Sequence, residues 1–307
     1  MCGLFGFTIY NKDIKNYSDL LQNLAVYSSE RGTHATGISY NINNKMIVYK
    51  KPTSASKLKL KHFENVQAVT GHTRHATQGD YKLNYNNHPF TGYTKKGDIF
   101  SIAHNGIIYN DIELRQKYHL SKSKITTDSY IYTQLLEQAK NINFDTIREY
   151  TEPLQGYYTF SILDNKNNLY IVKGDSPISI VHLKKLGMYI YASTDNILYN
   201  ALMDSNLFIH IKTGDFDVIS LNDGDILKIS NSGKISMSKY EPQTTYNFKK
   251  WYEYDDITTD TYNDDYLEIL LDMANYMGYD DREIYALIDD GFTFDEIEEF
   301  IYNGELI

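Results

Sequence analysis

The chain has 307 residues, 30 Lys+Arg against 40 Asp+Glu, a formal net charge of −10 and a single cysteine. One cysteine excludes an intramolecular disulfide framework and points to a reducing, cytoplasmic setting. No apolar run approaches the ~18 residues of a membrane span, and the apolar start at Leu4–Tyr10 has no basic leader before it, so neither a membrane segment nor a signal peptide is expected.

Residues 2–10 read as a buried strand running straight from the N-terminus, and Ser18–Ser29 as a helix with Leu20, Leu21, Leu24, Ala25 and Tyr27 at helical spacing. Short β segments follow at Gly37–Tyr40, Met46–Tyr49, Ala68–His72 and Ile99–His104. Helices are predicted over Asp111–Tyr118, Asp128–Ala139 and Phe144–Tyr150. From Gly156 the pattern turns to hairpins, at Tyr157–Leu163, Asn168–Lys173, Ile178–His182 and Met188–Ala192. A short helix at Asp195–Met203 and more sheet at Phe216–Leu221 and Asp225–Ser230 complete this part. Helices clustered in the first half and antiparallel-type strands throughout predict a layered α+β domain, not alternating βαβ units.

Charge then changes abruptly. Residues 241–307 hold 19 Asp+Glu against 3 Lys+Arg, which leaves residues 1–240 at +6. We therefore divide the chain into a domain over 2–240 and an acidic segment over 241–307. After a polar link at Glu241–Lys250, that segment predicts three short helices, at Tyr266–Met277, Asp281–Asp289 and Phe294–Tyr302. An acidic module of this kind suits a solubilising or partner-docking role, and it repels phosphates, which excludes nucleic acid as its partner.

The chemistry centres on the second residue. Once the initiator methionine is removed, Cys2 carries a thiol and a free α-amine on one residue, a nucleophile with its own base. Four segments can complete a site around it: "SSERGTHATG" with Arg31, "TGHTRHATQGD" with Arg74 and Thr77, "SIAHNGIIYN" with Asn105 and Gly106 at a strand end, and "KITTDSYIYTQLLE", where Asp128 opens a helix. Hydrolysing the amide of a free amino acid needs a cation for the carboxylate, which an arginine grips in bidentate fashion. It also needs an anion for the ammonium, for which Asp128 is the candidate, and two converging donors for an oxyanion, which Asn105 and the Gly106 backbone can supply. His72, His75, His88 and His104 offer a rival metal reading. Their spacing on a β-to-loop stretch suits it poorly, so no metal and no cofactor are expected.

Taken in order, Cys2-Gly3-Leu4-Phe5-Gly6, Arg31-Gly32 with Gly37, "GHTRHATQG", "NNHPF", "AHNGIIYN" and "TTDSY" resemble the glutaminase domain of class II (N-terminal nucleophile) glutamine amidotransferases. The resemblance continues through "LQGYYTFSILD", "YIVKGDSPISI", "YIYASTDNILYNAL" and "NDGDILKI", and covers about residues 2–230. It implies a four-layer αββα sandwich and hydrolysis of L-glutamine to glutamate and ammonia through a thioester on Cys2. It further implies Asn105 and Gly106 as oxyanion hole, Arg74 and Asp128 on the α-carboxylate and α-ammonium, Thr77 as a substrate contact and Arg31 as support for the N-terminus.

Two positions depart from the family pattern: His75 stands where Trp or Tyr is usual, and Gln78 where His is common. Only 67 residues follow residue 240, too few for the sugar-isomerase or phosphoribosyltransferase domains of familiar relatives. The leading expectation is a stand-alone glutaminase that hands ammonia to a separate synthetase or ligase. Alternatives are a γ-glutamyl amide or peptide hydrolase and, from another class, a non-catalytic scaffold module.

Overall fold

The computed structural model describes residues 2–11, 17–43, 45–60, 66–243 and 278–289, with single positions elsewhere between 267 and 301. The chain divides into two compact units, Met1–Tyr246 and Asn247–Ile307.

The larger unit is built on two antiparallel sheets. The first has seven strands: β1 (Gly3–Ile9), β2 (Ala35–Ile42), β3 (Lys45–Lys51), β4 (Ala68–Arg74), β9 (Ser179–Leu183), β10 (Met188–Ala192) and β11 (Asp217–Ile219), ordered β11-β9-β10-β1-β4-β2-β3. The second has six: β5 (Phe90–Tyr93), β6 (Ile99–Ile108), β7 (Gly156–Asp164), β8 (Leu169–Lys173), β12 (Asp225–Ile229) and β13 (Ile235–Lys239), ordered β13-β12-β8-β7-β6-β5. Helices α1 (Ser18–Tyr27) and α5 (Asp195–Met203) cover the first sheet; α2 (Asp111–Lys117), α3 (Tyr130–Glu137) and α4 (Phe144–Thr151) cover the second. A short α6 (Phe208–Lys212) follows α5.

Side-chain alternation explains the layering. Along β1, Phe5, Phe7 and Ile9 join Leu20, Leu21, Leu24 and Leu198 in the core between helices and first sheet. Leu4 turns the other way, to a core with Ala103, Ile171, Tyr191 and Leu227 between the sheets. On the far side, Phe100, Ile102, Phe160 and Ile162 pack with Ile131, Leu135 and Ile147 of the second helical layer. β1 is buried on both faces, which is why it reads as a continuous apolar run. The fold is thus the expected α+β, four-layer αββα sandwich.

The layer between the sheets is partly polar. Ser39 bonds Ser101 across the sheets, Thr70 bonds Ser161, and the Tyr191 hydroxyl reaches Thr70 at 2.7 Å. Each hydroxyl is satisfied by another, so the seam avoids the cost of unpaired buried groups.

Four differences from the sequence reading stand out. β5 follows His88-Pro89 and contains Gly92, which read as loop; an edge strand tolerates both. β13 alternates Ile235 and Met237 with polar residues at the opposite edge and was not expected. The five-residue α6 is too short to leave a periodic signal. β6 continues past His104 to Ile108, so Asn105 and Gly106 lie inside the strand and not at its end.

In the smaller unit, the helix at Asp281–Asp289 (α7) has the expected bounds, with Asp281 and Glu283 in its first turn, where acidic side chains favour the helix dipole. Leu270, Ala274, Ile284, Ile297 and Ile301 are buried, and the Tyr279 and Phe300 rings lie 5.2 Å apart. Most of Tyr266–Met277 and Phe294–Tyr302, and the link at Glu241–Lys250 beyond residue 243, fall outside the described residues. Among the described residues no helix is long and apolar enough to cross a membrane.

Candidate active site

Strand register brings the N-terminus to the site. Gly3 of β1 pairs with Thr73 of β4, so Cys2 emerges beside Arg74, and Arg74 pairs in turn with Ala35 of β2. The N-terminus, the end of β4 and the entrance to β2 therefore meet at one end of the first sheet. Gly32 makes this approach feasible: a Cβ there would stand 2.4 Å from the Arg74 carbonyl carbon and 2.5 Å from the His75 nitrogen.

Cys2 is half-buried; its thiol donates to the His75 carbonyl at 3.3 Å, and the Arg31 Nε donates to the Cys2 carbonyl at 2.9 Å. Arg31 thus grips the backbone of Cys2 itself, which helps fix where its thiol points.

Arg74 is buried at 2% exposure. One terminal nitrogen donates to the Asn87 side chain at 2.7 Å; the other donates to the carbonyls of Gln78 and Gly79 and to the Thr127 hydroxyl at 3.3 Å. Burial pulls the guanidinium down from its ordinary value, and Cys2, Asp128 and Asp80 counter that electrostatically. The arginine sits within the field of both the thiol and the Asp128 carboxylate.

Asp128 lies two residues before α3, so it precedes the helix rather than opening it, and its carboxylate accepts the Ile108 N–H of β6 at 2.7 Å. This ties the α3 entrance to the end of β6. Burial pushes the Asp128 carboxyl up to about 6, against the pull of the Ile108 and Ser129 amides.

Asn105 is fully buried, and neither polar atom of its side chain has a hydrogen-bond partner among the described residues. Alternation from Ser101 and Ala103 turns it toward the first sheet. Gly106 follows with φ +134°, and a Cβ there would stand 1.8 Å from the Tyr157 carbonyl oxygen. Only glycine fits, and its conformation lets Asn-Gly stay in a paired strand where the sequence alone suggests a turn. Thr77 is half-buried in the loop after β4.

The histidines divide between two places. His72 reaches the His104 carbonyl at 2.8 Å, His88 meets the Ser129 hydroxyl at 2.8 Å, and the His72 and His88 rings lie 4.3 Å apart. Burial holds all three well down, His104 to about 3, so they are neutral structural groups. His75 lies apart from them, stacked on His34. Among the described residues no three His, Cys, Asp or Glu side chains are grouped to hold a metal.

Sequence reasoning missed Asn87, Thr127 and His34. Asn87 in "NNHPF" donates to the Tyr81 carbonyl while accepting from Arg74, and Thr127 donates to the Asn86 carbonyl. The motifs contained these residues, yet nothing in their spacing marks a guanidinium cradle.

A glutamine amidotransferase domain family matches residues 72–200. Glutamine–fructose-6-phosphate aminotransferase (isomerizing) of Bacillus thuringiensis subsp. konkukian is 32% identical over 188 residues, 59% of this chain and 30% of that protein. The enzyme of the same name from Bacillus subtilis is 30% identical over 240 residues, 74% of this chain and 38% of that one. 7-Cyano-7-deazaguanine synthase of Sulfolobus acidocaldarius is 29% identical over 210 residues, 64% of this chain and 44% of that protein. Among solved structures, glutamine phosphoribosylpyrophosphate amidotransferase from B. subtilis superposes with a TM-score of 0.61 at 19% identity, covering 78% of this chain and 49% of that one, a likeness of fold. The chain spans less than half the length of each of these relatives. It carries a glutamine amidotransferase domain of the class II, N-terminal-nucleophile type.

Proposed function

We propose that the chain hydrolyses L-glutamine to glutamate and ammonia at Cys2 and delivers the ammonia to an acceptor enzyme on a separate polypeptide. The observation that carries this reading is Asn105, fully buried with its amide unpartnered beside the positive-φ Gly106. Leaving such an amide unsatisfied costs about 1–3 kcal/mol. A site that develops an oxyanion during reaction gives that unused donor its purpose.

The remaining roles follow. With Met1 removed, the Cys2 amine takes the thiol proton, and the thiolate attacks the glutamine side-chain carbonyl. Asn105 and the Gly106 N–H receive the oxyanion. The protonated amine then gives its proton to the amide nitrogen as the C–N bond breaks, so that the nitrogen leaves as NH₃ and the thioester remains; water resolves the thioester with the same amine as base. Arg74 meets the substrate α-carboxylate and Asp128 its α-ammonium, Thr77 adds a contact, and Arg31 holds the Cys2 backbone. Ammonia is mostly protonated at neutral pH, so direct transfer to a docked acceptor keeps it nucleophilic. The acidic segment over 241–307 is the docking arm in this reading, and 2–240 the catalytic domain.

Purified protein incubated with glutamine is expected to release glutamate and ammonia in equal amounts. It is expected to take up one 6-diazo-5-oxo-norleucine adduct on Cys2, with Met1 absent from the intact mass. Absence of both turnover and adduct in protein lacking Met1 would refute the reading.

A further inference from the structure

Resting on that reading, we propose that His34 is a positioning residue that holds the loop after Arg74 against the nucleophile. The stretch 75–81 follows β4 and contributes the His75 carbonyl to the Cys2 thiol and the Gln78 and Gly79 carbonyls to Arg74. Nothing in the strand pairing of β4 fixes it, because the β2–β4 ladder stops at Ala35 and Arg74. His34 carries the pairing one step further.

Its backbone N–H donates to the Arg74 carbonyl at 3.0 Å, and its ring Nδ1 accepts the Ala76 N–H at 2.9 Å. The two bonds bracket His75, so they set the carbonyl that the Cys2 thiol addresses. The ring also stacks on His75, with centroids 4.9 Å apart, and on Tyr81, with centroids 4.6 Å apart and planes 16° from parallel. Tyr81 closes the circuit, since its carbonyl accepts from Asn87 at 2.8 Å and Asn87 accepts from Arg74 at 2.7 Å. One side chain thus ties the nucleophile's partner, the start of the loop and its far end.

A ring nitrogen facing a backbone N–H must be the unprotonated one, so His34 is neutral with its proton on Nε2. Burial and the charge of Arg74 hold its basicity below the ordinary histidine value, which keeps that acceptor available. His75 stands where Trp or Tyr is usual and keeps an aromatic ring there, which stacks on the imidazole of His34.

Two variants of the full chain separate the two attachments. His34→Phe keeps a ring for the stack and removes the Nδ1 acceptor; His34→Asn keeps an acceptor near Nδ1 and removes the ring. Hydrogen exchange at the Ala76 amide is expected to speed at least about fivefold in His34→Phe and to stay near wild type in His34→Asn. The 78–81 amides are expected to loosen in His34→Asn, and in Tyr81→Leu, which leaves His34 intact.

The glutamine KM is expected to rise about fivefold or more in His34→Phe, with melting temperature little changed. Unchanged Ala76 exchange and KM in His34→Phe would overturn the proposal. So would a parallel loss of kcat, KM and melting temperature in both His34 variants, which marks a merely structural residue. If wild-type protein turns over no glutamine, the functional reading fails by itself, and the exchange comparison still decides what His34 does.

Discussion

Asp128 offers the sharpest test of the site's electrostatics. Its carboxyl is buried at 5% exposure and lifted from 3.8 to about 6, by burial first and by Asp111 further, while the Ile108 and Ser129 amides and Arg74 pull it back. A shift of roughly two units corresponds to about 3 kcal/mol between the protonated and ionised forms. The sign follows from linkage. The folded state binds the proton more tightly than the unfolded one, so this group's contribution is fully present below about pH 4 and is lost as pH rises through about 6. Asp128→Asn replaces the carboxyl with a neutral isostere that still accepts the Ile108 N–H, and so mimics the protonated form at every pH. Urea unfolding of both proteins from pH 4 to pH 8 is the assay. The stability difference, variant minus wild type, is expected to grow in the variant's favour by about 3 kcal/mol between pH 4 and pH 7 and then level off. The same variant should bind glutamine far more weakly at pH 7, because the anion for the ammonium is gone. A difference that stays flat across the range would show that Asp128 titrates normally. A difference of opposite sign would show that Arg74 outweighs burial. Either result refutes the reasoning.

Asn105→Ala should lower kcat by about 10²–10³ while leaving the melting temperature unchanged or raised, since no bond from its side chain to the described residues is lost; steady-state kinetics with a thermal melt checks both. Gly106→Ala forces a Cβ toward the Tyr157 carbonyl at a φ of +134°, so a loss of more than about 1–3 kcal/mol is expected in a urea titration, together with activity. Arg74→Lys retains the charge, yet one ammonium cannot reach the Asn87 side chain and the Gln78 and Gly79 carbonyls in the fork geometry of a guanidinium. A loss of kcat/KM for glutamine on the order of 10²-fold is expected, and activity near wild type would contradict that cradle.

The architecture was largely legible because both sheets are covered on the outside by helices and on the inside by each other. The central strands then read as apolar runs, and α1, with Leu20, Leu21, Leu24 and Ala25 buried, as a one-faced helix. The edges were not: β5 and β13 lack a covered second face, so Pro89, Gly92 and the Ser236–Lys239 alternation carry too little apolar signal. Asn-Gly misled for a different reason. A local turn signal was overridden by pairing of Gly106 with Tyr158 in the β6–β7 ladder, where Gly156 also adopts a positive φ. Of the candidate site, the residues whose chemistry is explicit (Cys2, Arg74, Asp128 and Asn105) could be named from the sequence. The carbonyls, Asn87 and His34 that set their poses could not, because a backbone acceptor has no letter in the sequence and a histidine ring declares its role only through what it stacks on.

Energetically, the groups proposed for the site are also those that burden the fold. Arg74 and Asp128 are each driven toward neutrality by burial, and Asn105 leaves an amide unmatched. A fold selected only for stability would replace such groups with apolar side chains of similar volume. Here they lie where the N-terminal end of β1, the end of β4 and the β6–α3 junction are fixed by ladder bonds and by the Asp128 to Ile108 contact. Arg74 and Asp128 already have hydrogen-bond partners, so under the proposed function glutamine adds opposite charges, a carboxylate toward Arg74 and an ammonium toward Asp128, and its amide carbonyl is the group that Asn105 meets. Substrate binding should therefore stabilise the protein more strongly than a zwitterion of its size would elsewhere. A thermal shift with glutamate that survives in Cys2→Ala but disappears in Asp128→Asn would tie that stabilisation to the buried charges and not to the thiol.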